Sequence, residues 1–223
     1  MLKYISLFIG LLAISSIQAI SQNRASVKQL EEWTFYGDGI KLLEGHGQYL
    51  LKENPKGSKG VGLVSPQSYS QDVIMRYEVM PLTPSTVLVA LLSASDNGPS
   101  TALTLPDSYD GTIKFWQAGC DNYFFAFHNA AHNFPPFVRR FDENTGRVIL
   151  DMAKKNVMHV GKYYRIEVGR KADLIWLKIE GKTILKTKDS NPYTGGHLGL
   201  RIRGTASEYA ACLIKNLEII SPD

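Results

Sequence analysis

The sequence predicts an all-β protein, a sandwich of two antiparallel sheets. Beyond Ala19 the chain is a succession of short runs rich in Val, Ile, Leu and aromatic residues, several with strict two-residue alternation. Gly, Asn, Asp and Pro punctuate the junctions, and no long stretch repeats its apolar residues with helical spacing. No internal repeat, low-complexity tract or Pro/Ser linker divides the chain, so residues 20–223 are expected to form one domain.

Residues 1–19 read as a secretory signal peptide. Lys3 supplies the positive n-region, residues 5–17 the apolar h-region, and Ala19 the small residue before the cleavage point. The apolar run is short for a bilayer span, and no cysteine follows it to carry a lipid, so a periplasmic or secreted mature chain, free of the membrane, is expected. The chain has 25 Lys+Arg against 21 Asp+Glu, a net charge of +4, with Lys3 the leader's only charge. So mild a balance gives no reason to expect a nucleic-acid partner. Cys120 and Cys212 sit in an export context where a disulfide can form, yet their strand-like apolar surroundings equally suit two separate buried thiols.

The first element is a short helix at residues 26–32, with Ser26 placed to cap it. Strands follow at 40–43, 48–52 and 61–64. Residues 72–80 alternate, with Val73, Met75, Tyr77 and Val79 on one face and Ile74, Arg76 and Glu78 on the other. The apolar run 86–95 ends at the turn Asp96-Asn97-Gly98-Pro99. After Asp110-Gly111 come strands at 112–118 and 122–128. The second sets Asn122, Phe124, Ala126 and His128 opposite Tyr123, Phe125 and Phe127; both sides are largely apolar, as in a central strand covered on both faces. Strands at 137–142 and 147–151 are separated by the turn signal Asn144-Thr145-Gly146. Residues 162–169 and 174–180 alternate with Tyr164, Ile166, Val168, Ile175, Leu177 and Ile179 inward. Glu180-Gly181-Lys182 leads into 183–186. Gly195-Gly196 precedes 197–203, where Leu198, Leu200 and Ile202 turn inward, and 210–219 ends the pattern.

The outward side chains of these strands include Arg76, Arg165, Arg201, Arg203, Lys178, Trp176 and Tyr163, with Glu78 and Glu167 among them. Residue by residue this is a solvated face with charges paired across strands. As a group, with a tryptophan that is costly to leave bare, it also fits a saccharide groove, so Arg76, Glu78, Arg165, Trp176, Arg201 and Arg203 are candidate ligand contacts.

Residues 115–140 crowd together Trp116, Tyr123, His128, His132, several phenylalanines and asparagines, and Arg139-Arg140. Aromatic faces stack on pyranose rings, amides and imidazoles bind hydroxyls, and guanidinium forks bind carboxylates. Trp116 and His132 are therefore further candidate contacts. The set also fits β-elimination on a uronate polymer. Arg139 or Arg140 with Asn129 would neutralise the carboxylate, His128 would take the C5 proton, and Tyr123 would protonate the leaving oxygen. The bland alternative makes Tyr123 a core residue and His128 a hydrogen-bonded strand end.

Other chemistries find less support. His128 and His132 are four apart, but Pro135-Pro136 preclude the helix that would make them a zinc pair, and Asn129 stands where zinc hydrolases carry glutamate. Retaining glycoside hydrolysis needs carboxyls about 5–5.5 Å apart; no strand here carries such a pair, though Glu78, Glu167, Glu180 and Glu208 can converge from separate strands. There is no nucleophile elbow, phosphate loop or dinucleotide fingerprint. No cofactor is expected. Asp96-Asn97-Gly98 and Asp142-Glu143-Asn144 offer oxygen ligands of the kind structural calcium takes, but ordinary turns use the same residues.

The run Asn122-Tyr123-Phe124-Phe125-Ala126-Phe127-His128-Asn129, followed by Pro136-Phe137-Val138-Arg139-Arg140, resembles the YesU-like family of bacterial proteins of unknown function. The closing meander, from Tyr163-Tyr164-Arg165 to His197-Leu198-Gly199-Leu200-Arg201, is similar to the last strands of concanavalin A-like lectin/glucanase domains. The resemblance implies a concanavalin A-like jelly-roll sandwich with a concave face and a plant or algal glycan as ligand. It supplies no catalytic residues. Taken together, the expectation is an exported carbohydrate-active protein that binds, and by elimination cleaves, an acidic poly- or oligosaccharide. A non-catalytic glycan-binding module is the alternative, and a hydrolase with acids from separate strands the next.

Overall fold

The computed structural model describes residues 26–129, 132–142, 146–205 and 208–222; the leader expected at residues 1–19 lies outside them. In chain order the strands are β1 (Thr34–Tyr36), β2 (Gly39–Glu44), β3 (Gln48–Glu53), β4 (Val61–Ser70), β5 (Val73–Pro81) and β6 (Val87–Ser95). A short helix α1 (Ile113–Ala118) comes next. Then follow β7 (Asp121–His128), β8 (Phe137–Asp142), β9 (Gly146–Met152), β10 (Tyr164–Lys171), β11 (Leu174–Ile179), β12 (Lys182–Lys188), β13 (Gly195–Arg203) and β14 (Ala211–Ile220). The expected opening helix is a 3-10 turn, Val27–Glu31, and Ser26 caps it by accepting from the Lys28 amide.

The strands form two antiparallel seven-stranded sheets, one ordered β1-β4-β13-β6-β7-β8-β9 and the other β12-β11-β10-β5-β14-β3-β2. Alternation decides the layers. Val73, Met75, Tyr77 and Val79 of β5, Tyr164, Ile166 and Val168 of β10, and Ile175, Leu177 and Ile179 of β11 face the first sheet. They meet Leu88, Ala90 and Leu92 of β6, Tyr123, Phe125 and Phe127 of β7, and Leu198, Leu200 and Ile202 of β13. Each large apolar side chain so buried contributes roughly 1.5–3 kcal/mol.

The first sheet is also covered on its other side, as the two apolar faces of β7 imply. The connection from β6 to β7 lays Leu103, Leu105, Tyr109, Ile113, Phe115 and Trp116 over Val89, Leu91, Phe124, Ala126 and Phe141, making a second core. Residues 112–118, expected as a strand, form α1 within this cover. Ile113 and Trp116 are three apart, so a helical turn sets both against the second core, and the Gly119 amide closes the turn on the Phe115 carbonyl. β1, whose three residues pair with β4, was not legible as a strand. Cys120 lies in the second core and Cys212 in the inter-sheet core, both free.

Candidate functional site

On β7 the expected catalytic pair is separated by the strand itself. Tyr123 and His128 are five residues apart on an extended chain, roughly 16 Å. Tyr123 is fully buried in the inter-sheet core and its hydroxyl donates to Asp189 Oδ2 at 2.7 Å. Burial, reinforced by the Asp189 carboxylate, raises its pKa far above the usual phenol value. His128 is 2% exposed and its Nδ1 donates to the Thr86 carbonyl. Burial lowers its pKa, partly opposed by that hydrogen bond. Neither residue is positioned as the acid or base of an elimination, which corrects the expectation for both.

The remaining residues of the segment also divide. Trp116 has no exposed surface and packs against Phe115 at 5.0 Å and Tyr36 at 5.7 Å, so it is a core residue and no sugar platform. Arg140 lies 4.5 Å over the Tyr193 ring and is consumed by two carboxylates, Asp142 at 2.7 Å and Asp189 at 2.9 Å. Although burial works against its charge, Tyr193, Asp189 and Asp142 hold that charge firmly. His132 is exposed on the loop after β7, its backbone amide donating to the Asn129 carbonyl. Asn129 is buried, with its side-chain oxygen unpartnered. Arg139 points to the opposite side of β8 from Arg140, beside Phe137 and Phe141 of the second core.

The outward side chains expected to share one hollow belong to two different sheets. Arg201 and Arg203 are on β13 of the first sheet. Arg201 is 3% exposed, donating to the Lys59 and Gly111 carbonyls at 3.0 Å, and a Cβ at Gly60 would come within 2.4 Å of its guanidinium. Arg203 is spent on Glu53 and the Ser58 carbonyl. Arg201 is structural, and Arg203 lines a separate cavity with Glu53, Lys59, Glu208 and Tyr209 rather than the hollow expected.

Arg76, Glu78, Arg165 and Trp176 do share a face, the outer face of the second sheet. Trp176 is opposite Gly169 in register, and its six-membered ring lies against that glycine, where a Cβ would come within 2.3 Å. Its Nε1 donates to Glu167 Oε1 at 2.7 Å. Glu167 also receives Arg76 Nε at 2.8 Å and Lys178 Nζ at 2.8 Å. Burial alone would raise its pKa, but hydrogen bonds from Lys178, Arg76 and Trp176 prevail and bring it down to about 2. Lys186 is opposite Trp176 on β12, exposed and without an ion-pair partner among the described residues. Arg165 is 3.8 Å from Glu180 and largely exposed, and Glu78 binds Lys215 and Asn216. The half-buried indole, fixed edgewise and from below, is therefore a rigid aromatic surface amid charged donors and acceptors.

Glu167, Lys178 and Lys186 complete this arrangement. Alternation already sets Glu167 and Lys178 on this outward face, and Lys186, opposite Trp176, is the one it leaves out. Asp189 and Tyr193, which hold Tyr123 and Arg140, come from a loop with no local signal of that role. No group of three or more His, Cys, Asp and Glu among the described residues is disposed to hold a metal. Asp96 is taken up by the amide and hydroxyl of Thr104 at 2.8 and 2.9 Å, a turn interaction; Glu143 and Asn144 of the other acidic turn lie outside the described residues.

No protein-family model matches the sequence, and no curated protein matches it. Solved structures do match. A Bacillus subtilis protein of unknown function with a galectin-like fold superposes with a TM-score of 0.72 at 13% identity, over 90% of this chain and 94% of that one. A carbohydrate-binding module from Bacillus subtilis gives 0.56 at 16% identity, over 85% and 95%. A Bacillus licheniformis β-glucanase gives 0.56 at 12%, over 86% and 92%. At these identities the likeness is one of fold. The chain is a concanavalin A-like jelly-roll sandwich.

Proposed function

We propose that the protein is an exported, non-catalytic binding protein for an acidic poly- or oligosaccharide, received on the outer face of the second sheet. The observation that carries this reading is Trp176, laid on Gly169, pinned by Glu167 and flanked by Arg76, Lys178 and Lys186. An indole face takes the C–H face of a pyranose, and fixed charged groups beside it take hydroxyls. Lys186, with no ion-pair partner among the described residues, and the largely exposed Arg165 favour a glycan with negative charge. The leader-like pattern of residues 1–19 supports export, and the carbohydrate-binding module and β-glucanase among the fold neighbours are in keeping with a saccharide ligand.

Binding is preferred to cleavage because the acids and bases within reach are committed elsewhere. Glu167 is held ionised by its cations and has no proton to give, while His128 and Tyr123 are spent inside the fold. Affinity electrophoresis in gels containing polygalacturonate, alginate or dextran, with chromatography of each mixture, tests the reading. Retardation by an acidic polymer, no new product, and at least about tenfold weaker binding by Trp176→Ala are expected. Unsaturated or shortened products, or undiminished binding by that variant, would overturn it.

A further inference from the structure

On the opposite side of the sandwich, the outer face of the first sheet carries a guanidinium that no described residue neutralises. Arg139 of β8 has Phe137 and Phe141 beside it on the same face and Ile149 of β9 opposite it. Its Cζ is 4.6 Å from the Phe137 ring centroid, and its Nε is buried without a hydrogen-bond partner. Arg140, the next residue, binds two carboxylates; Arg139 binds none among the described residues. Burial, and after it the charge of Arg147 on β9, pull its pKa below the usual guanidinium value. A half-buried cation with a second cation beside it is a favourable place for an anion that joins them.

The surroundings describe the rest of such an anion. Phe134 meets Phe137 edge-on at 5.5 Å. Met152, opposite Phe137, and Ile149, opposite Arg139, are 46% and 47% exposed, so the neighbouring strand offers apolar surface to solvent.

We propose that Arg139, supported by Arg147, anchors a second binding site, for a carboxylate borne on a saturated six-membered ring, of which a uronic acid residue is the example. The guanidinium fork takes the carboxylate. The ring rests on the exposed apolar surface of Ile149 and Met152 and on the part-exposed Phe134. This site is independent of Trp176, because the two lie on opposite outer faces of the sandwich.

The test is a titration of the arginine Nε–H resonances of the intact mature chain with sodium glucuronate, its methyl ester, glucose and a uronate trisaccharide. Glucuronate is expected to shift the Arg139 signal saturably, with the ester and glucose at least about tenfold weaker. Arg139→Gln should abolish the effect, Arg147→Gln should weaken it and reduce its salt dependence, and Trp176→Ala should leave it unchanged. Equal response to glucuronate and the trisaccharide marks a free residue or chain end as the source; a stronger trisaccharide response marks the interior of a polymer. An Arg139 signal that glucuronate leaves unmoved would overturn the proposal, and so would undiminished binding by a folded Arg139→Gln. The first of these readouts needs no variant.

Discussion

The Tyr123 hydroxyl donates to Asp189 Oδ2 at 2.7 Å, and Nη1 of Arg140 reaches both oxygens of that carboxylate at 2.9 Å. A tyrosine from β7, an arginine from β8 and an aspartate after β12 thus meet in one buried knot. Arg170 of the second sheet lies 5.5 Å from the Tyr123 ring and donates to Ser93 of the first at 3.0 Å, so the knot ties the sheets together. Two residues whose chemistry suits catalysis serve instead as struts.

That arrangement predicts unequal losses from two substitutions. Asp189→Ala leaves Arg140 with one carboxylate and Tyr123 with none, and should cost about 3–5 kcal/mol, as when a buried pair loses one partner. Tyr123→Phe removes the bond to Asp189 and the longer one accepted from the Tyr193 amide at 3.4 Å but leaves the ion pair, and should cost about 1–2 kcal/mol. Urea unfolding measures both. Equal losses would show that the carboxylate is not the centre of the knot.

Glu167 predicts an acid-sensitive step in stability. Its pKa is depressed from the ordinary 4.5 to about 2 in the folded chain, so the unfolded chain binds the proton more readily. The stabilisation is fully present above pH about 4.5 and fades as the pH falls towards 2. Glu167→Gln should unfold with a flatter pH dependence across that window. Its Trp176 emission should also lose any change seen there in the parent. A parallel pH profile for the two chains would count against the network.

Gly169→Ala should displace the indole while leaving every ligand-contacting side chain chemically intact. The added methyl meets the ring at 2.3 Å, too close for any accommodation short of moving the side chain or the strand. A stability loss of about 1–3 kcal/mol is expected from the crowding. Of the three tryptophans, Trp33 and Trp116 are buried, so acrylamide quenching reports on Trp176. The variant should quench more readily and bind acidic glycan more weakly; unchanged quenching would mean the ring does not rest on Gly169.

Alternation made the inward and outward sides of β5, β10, β11 and β13 legible, because burial on one face imposes a period of two on any strand. It says nothing about which sheet a strand joins. Arg201 and Arg76 both read as outward, and both are, but away from each other on opposite sides of the sandwich. Residues 112–118 misled for a related reason: in so short an apolar run, helix and strand both account for a buried Trp116. His128 and Tyr123 carry reactive groups, and only tertiary partners, Thr86 and Asp189, reveal that these are already occupied.

Cys120 and Cys212 sit in different layers, one beneath the β6–β7 connection and the other between the sheets. Each thiol is silent towards alkylating reagents while its own layer stays shut, and burial raises both pKa values, that of Cys212 to about 12. The chain therefore contains two internal clocks. A brief pulse of iodoacetamide followed by peptide mass analysis separates lifting of the cover from parting of the sandwich, without any probe being introduced.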